Sequence, residues 1–145
     1  MDVFTIQEAA RRTGLTEPTL RYYEEIGLLG PIERDERHGH RRYGIRDLDE
    51  LEILACLRAV GMGIEDMRSY QTNRSRGRAA AGEQRDLLLR HAGRIEVEIE
   101  AQRARLGYLR AKAAMWDARD RGDEQAEADA MRQLVGAFEG LAVAR

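Results

Sequence analysis

The sequence predicts a mostly helical protein with one small β-hairpin early in the chain and a long coiled-coil helix behind it. Three observations predict this. Hydrophobic residues make up 43% of the chain, charged residues 34% and aromatics 6%, with prolines only at positions 18 and 31. Almost the whole length is therefore free of the strongest helix breaker. Turn-forming and charged residues cluster over 30–44, between stretches of helical periodicity. Apolar residues then recur in steps of four and three from Leu88 to Trp116, the spacing of a coiled coil. A chain of 145 residues suits one domain, or a small domain with a long extension.

Taken in order, Thr5 and Glu8 stand three apart before a short apolar face of Ile6, Ala9 and Ala10, which is the pattern of a capping box. Gly14 ends that helix as a left-handed residue. Leu15 is expected beneath the turn, Thr16 as the next cap, and Pro18 in the first turn, where a missing N–H costs little. Leu20, Tyr23 and Ile26 share a face before Gly27. Two short helices joined by a Gly-containing turn make a helix-turn-helix. Gly30, Pro31 and the charged run 33–39 flank short extended segments, giving a β wing. A third helix starts at Ile45 behind a weak cap, Gly44, with Leu48, Leu51, Leu54 and Leu57 before Gly61. After a turn at Met62 and Gly63, a fourth short helix runs from Ile64 to Tyr70.

Residues 72–83 hold little apolar material and read as a linker. Leu88, Ala92, Ile95, Ile99, Gln102, Leu106, Leu109, Ala113 and Trp116 then form a heptad stripe on a helix over 84–116, roughly 50 Å long. One chain would leave that stripe exposed, so it calls for a second copy; packing on the chain's own short helices is the other reading. Past Gly122, Met131, Leu134, Val135, Phe138 and Leu141 share a face that docks on the dimer or on the first domain. The plan is thus a winged helix-turn-helix domain (1–71), linker (72–83), dimerisation coiled coil (84–116) and C-terminal amphipathic helix (117–145), the last a candidate effector region.

A formal charge of −2 gives no sign of a polyanionic partner, but placement does. Arg11, Arg12, Arg21, Arg34, Arg37, Arg41, Arg42 and Arg46 crowd the first third, and Lys112 is the only lysine. The planar guanidinium suits phosphate, although a genome-wide preference for arginine codons would give the same bias. Cys56 is the only cysteine, which excludes an internal disulfide and a cysteine-cluster metal site. No targeting segment or membrane-length apolar run is evident, so a cytoplasmic protein is expected. There is no Gly-rich phosphate loop, nucleophile–His pairing or metal-ligand spacing. His38 and His40 lack a third ligand nearby. Neither an enzyme nor a cofactor or metal is expected.

The run 16–28, which includes Thr16, Glu17, Thr19, Arg21, Tyr22 and Tyr23, resembles the recognition-helix signature of MerR-type regulators. Gly39, His40, Arg41, Arg42 and Tyr43, followed by Asp47 and Leu48, resemble the family's wing and the start of its third helix. Leu57, Arg58, Gly61, Met62, Ile64, Glu65 and Asp66 continue the likeness to the fourth helix. It covers residues 3–71 well and extends in kind over 84–116. His40 departs from the aromatic common at its position.

The resemblance implies a dimeric activator with no catalytic activity. Two copies joined by an antiparallel coiled coil bind a palindrome in an overlong promoter spacer, opposite RNA polymerase. Effector binding then bends and untwists the double-stranded promoter DNA. A recognition helix in the major groove offers its N-terminal residues to base edges. Glu17 and Thr19 are the candidates, with Glu17 otherwise a first-turn stabiliser, and the capping Thr16 is counted with them in the DNA-binding set. Arg21 and Tyr22, with His40, Arg41, Arg42 and Tyr43 on the wing, are expected to hold the phosphate backbone, while Tyr23 reads as core.

Cys56 resembles the single third-helix cysteine of the family's aldehyde- and electrophile-responsive subgroup. Its other reading is a small buried hydrophobe. A thiolate sensor needs access and a lowered pKa, for which Arg58 and Arg94 are the candidate partners. Tyr108, Trp116 and Phe138 offer either an apolar ligand pocket or interface packing. A DNA-binding repressor or architectural protein without effector, and a small-molecule-gated regulator that does not use Cys56, are the alternative functions.

Overall fold

The computed structural model describes residues 2–144, with side chains to residue 142. Its elements are α1 (Ile6–Thr13), α2 (Glu17–Glu25), β1 (Glu33–Arg34), β2 (Arg41–Arg42), α3 (Ile45–Ala59), α4 (Ile64–Arg76), a 3-10 turn (Gly77–Ala80), α5 (Ala81–Arg121) and α6 (Glu124–Ala144). They fall into two compact units, Met1–Leu87 and Leu88–Arg145.

In the first unit, local chemistry fixes the helix ends as the sequence predicts. Thr5 Oγ1 accepts from the Glu8 N–H at 3.2 Å, and Glu8 Oε1 accepts from the Thr5 N–H at 3.2 Å, closing the capping box. Gly14 takes φ 75°, and its N–H bonds to Ala10. Thr16 caps α2 by accepting from the Thr19 N–H at 3.2 Å. Gly44 has no side chain to cap α3, so Asp47 Oδ2 accepts the Gly44 N–H at 2.8 Å instead. Leu20, Tyr23, Leu48, Leu51, Leu54, Leu57, Met62 and Met67 close the core. The wing is a two-stranded antiparallel hairpin with Glu33 opposite Arg42 and Arg34 opposite Arg41. Its return strand continues to Tyr43, which exchanges backbone hydrogen bonds of 2.8 Å in each direction with Phe4.

The expected linker over 72–83 is not irregular chain. The fourth helix extends beyond Tyr70 to Arg76, one 3-10 turn follows, and α5 begins at Ala81. Polar contacts hold this corner together. Asn73 donates to Gln84 at 3.2 Å, Gln84 donates to the Tyr70 carbonyl at 3.0 Å, and Arg76 pairs with Glu83 at 2.6 Å. Ala80 beneath them is fully buried. Gly77 at φ 62° supplies the backbone reversal, a conformation costly to other residues.

In the second unit, α5 and α6 form a helical hairpin about Gly122, at φ 66°. Asp123 caps α6 by accepting from the Ala126 N–H at 3.0 Å, and Arg119 pairs with Glu127. Ala111, Met115, Ala118 and Ala130 are buried there. The predicted heptad stripe lies elsewhere on α5. Leu88, Ala92, Ile99, Gln102, Leu106, Leu109, Ala113 and Trp116 are exposed on the single chain, and Ile95 is half-buried. On α6, the expected apolar face divides: Leu134 and Leu141 are half-buried, while Met131, Val135 and Phe138 are exposed. No described helix is long and apolar enough to cross a membrane.

Candidate nucleic-acid interface

α2 and the wing are joined by one carboxylate. Arg41 Nε donates to Glu24 Oε1 at 2.6 Å, and the Ile32 N–H donates to Glu24 Oε2 at 2.9 Å. Burial would raise the Glu24 pKa, but the Arg41 and Ile32 hydrogen bonds and the charges of Arg41 and Arg34 outweigh it. Together they hold the carboxyl below its ordinary value. Arg41 is accordingly half-buried, and its Nε faces the fold rather than solvent. The expectation of a purely phosphate-facing Arg41 is corrected on that ground.

Tyr43 requires a firmer correction. Its side chain is fully buried and packs in the core, so it cannot hold a DNA backbone. Its hydroxyl has no hydrogen-bond partner among the described residues, and burial pushes its pKa up. Strand alternation explains the error: Arg41 and Tyr43 lie on the inward face of the return strand and Arg42 on the outward one. Arg42 is exposed.

The remaining predicted contacts lie at the surface. Tyr22 is 48% exposed, whereas Tyr23 is core as expected. Arg21 is exposed and makes a surface pair with Glu17 at 3.5 Å. His40 stands exposed at the wing turn, 3.9 Å from Asp35, with the His38 ring 5.6 Å away. Asp35 accepts from the backbone N–H groups of His38 and Gly39. The His38 N–H bond is the largest influence holding the Asp35 carboxyl below its ordinary value. Among the described residues, no group of three or more metal-ligating side chains is assembled.

At the start of α2, Thr16 and Thr19 place their hydroxyl oxygens 2.8 Å apart. Arg58, from the last turn of α3, donates to Thr19 Oγ1 at 3.0 Å. Sequence reasoning placed Arg58 beside Cys56 and missed this contact; only the fold brings it to α2. Glu24 was likewise missed, since a helical glutamate gives no sign of what it holds. Cys56 is exposed on α3 of the single chain, while Leu54 and Leu57 point inward, so it is not part of this chain's own core. In the second unit Tyr108 is half-buried, and the Arg119 guanidinium lies 4.8 Å from the Trp116 ring centre.

These features have close parallels. Residues 4–73 match the MerR HTH family regulatory protein. The transcriptional regulator AdhR of Bacillus subtilis is 40% identical over 67 residues, covering 46% of this chain and 47% of that protein. CueR of Salmonella typhimurium is 43% identical over 61 residues, covering 42% and 44%. The chain thus spans about half the length of the curated relatives it matches. Two solved structures extend the likeness further. HiNmlR, a MerR family regulator lacking the sensor domain and bound to promoter DNA, matches at a TM-score of 0.66 and 28% identity over 86% of this chain and 96% of that one. A putative MerR family transcriptional regulator from Listeria monocytogenes matches at 0.67 and 28% over 87% and 95%. The helix-turn-helix segment, residues 4–73, is thus of the MerR HTH type, and the chain is similar in fold to MerR family regulators.

Proposed function

We propose that this chain is a dimeric, sequence-specific regulator of transcription that acts on double-stranded promoter DNA and catalyses no reaction. The observation that carries this is the likeness, over 86% of this chain, to a MerR family regulator bound to promoter DNA. The exposed end of α2 and the exposed Arg42 and His40 on the wing support it. On this reading Thr16 and Glu17 meet base edges, with Thr19 between them and Arg58. Arg21, Tyr22, His40 and Arg42 hold phosphates. Two copies pair antiparallel through the α5 stripe, so that a palindrome in the promoter spacer is bound from one side. Bending and untwisting that spacer realigns the promoter for RNA polymerase in the cytoplasm.

The test is fluorescence anisotropy with duplexes from the region upstream of the protein's own gene, titrated with salt. The expected result is selective binding of a palindromic duplex whose log affinity falls linearly with log salt. Equal affinity for a scrambled duplex at every salt concentration sinks the reading.

A second reading concerns the signal. The exposed Cys56 supports an electrophile-responsive regulator, in which the thiolate reacts with an aldehyde-class effector. In-vitro transcription with and without a small aldehyde should show induction in wild type and none with Cys56→Ser. Full induction in the variant removes Cys56 as sensor and favours a small-molecule gate elsewhere. Activation independent of any effector favours a regulator without a gate.

A further inference from the structure

We infer that Arg58 is a positioning residue that sets the sequence selectivity of the recognition helix through Thr19 and Thr16, an inference that rests on the DNA-binding reading above. Arg58 Nη1 donates to Thr19 Oγ1 at 3.0 Å. Thr19 Oγ1 stands 2.8 Å from Thr16 Oγ1, and the Thr19 backbone N–H donates to that same Thr16 oxygen at 3.2 Å. A hydroxyl has one proton to give and two lone pairs to receive with. Without Arg58, either threonine could be the donor of the pair.

The guanidinium removes that freedom. With a cation donating to the Thr19 oxygen, the Thr19 proton is polarised toward Thr16, because hydrogen bonds running in one direction strengthen each other. Thr16 Oγ1 then accepts twice, from the Thr19 hydroxyl and the Thr19 N–H. Its own proton is left as the outward donor at the first turn of α2. Thr19 has turned its proton inward, so it offers no donor outward and keeps one lone pair.

The helix end therefore presents one fixed donor. A purine N7, guanine O6 or thymine O4 matches it, and the exocyclic amine of cytosine does not. Placement agrees with this role. Arg58 and Thr19 line one surface groove with Pro18, Tyr22, Met62 and Gly63, and Arg58 is exposed rather than part of the core.

The experiment compares full-length wild type, Arg58→Ala, Arg58→Lys, Thr19→Val and the Arg58→Ala/Thr19→Val double variant. Each is titrated against a duplex enriched by wild type from a randomised pool and against a scrambled duplex of the same length, over a range of salt. The expected result is a roughly tenfold loss on the enriched duplex for Arg58→Ala, with scrambled binding and salt slope unchanged. Thr19→Val carries the same prediction by itself, the double variant loses no more than either single one, and Arg58→Lys recovers part of the loss. An equal loss on both duplexes with a salt slope smaller by about one marks Arg58 as a direct phosphate contact and overturns the inference. Additive losses, or an Arg58→Ala protein as selective as wild type, overturn it too. Failure of wild type to enrich any duplex overturns the DNA-binding reading and this inference with it.

Discussion

Arg41 Nε reaches Glu24 Oε1 at 2.6 Å across seventeen residues of chain, tying the return strand of the wing to the last turn of α2. The other carboxylate oxygen accepts the Ile32 N–H at 2.9 Å. One side chain thus holds the helix, the start of the wing and its return. Replacing Glu24 by alanine leaves a half-buried guanidinium and a backbone donor without that acceptor. The expected loss is about 2–4 kcal/mol of unfolding free energy, read by urea denaturation. A loss below about 0.5 kcal/mol, the scale of an ordinary surface substitution, contradicts the clamp.

The same contact predicts an acid limit to stability. The Glu24 carboxyl titrates below its ordinary 4.5 in the folded protein. A depressed acid stabilises the fold above the unfolded-state value and loses that contribution as pH falls through the folded one. Urea midpoints should hold steady from neutral pH down to about 5.5, then drop below about 4.5. Asp35 and Asp123 are shifted the same way, so Glu24→Gln should flatten part of that slope, and an unchanged slope would count against Glu24.

Tyr43→Phe removes a buried hydroxyl that has no partner among the described residues. Stability should stay within about 1 kcal/mol of wild type, and the affinity for duplex DNA should not change. Tyr43→Ala should cost about 3–5 kcal/mol by leaving a cavity. A selective loss of DNA affinity in the stable Phe variant would return Tyr43 to the DNA-facing set.

Arg42→Ala should behave differently from its neighbour Arg41→Ala. The exposed Arg42 is expected to contribute one phosphate contact, so its loss should weaken specific and scrambled duplexes alike and reduce the salt slope by about one. Arg41→Ala should lower the thermal midpoint, since it breaks the link to Glu24. Identical melting curves for the two variants would refute that division.

The exposed α5 stripe gives a fifth test. Ile99 and Leu106 are 44% and 45% exposed on the single chain. Changing both to glutamate places charges where a partner helix should pack. Sedimentation velocity should show a shift from dimer to monomer, whereas a wild type that is already monomeric at micromolar concentration rejects the pairing.

What the sequence disclosed, and what it withheld, follows the range of the forces involved. The caps at Thr5 and Thr16 and the left-handed Gly14 were legible because each is decided within four residues. The long helix behind the first unit was legible because periodicity survives over many turns. The corner at 72–83 was not, since Asn73, Arg76, Glu83 and Gln84 stabilise it by polar contacts that apolar periodicity cannot register. Tyr43 was misplaced although its strand carried the answer: it lies two residues from the inward Arg41, and Phe4, thirty-nine positions away, completes its bridge. Arg58 was weighed only against its sequence neighbour Cys56, while its partner Thr19 comes from another helix.

The exposed stripe on α5 also sets how the protein should respond to its own abundance. If two chains must pair before a palindrome can be gripped, occupancy of the DNA grows with the square of chain concentration wherever dimers are the minority. Mass action then makes expression level itself an input. Small changes in synthesis or degradation would be amplified at the promoter, and any substitution that loosens Ile99 or Leu106 would raise the threshold without touching a single DNA contact.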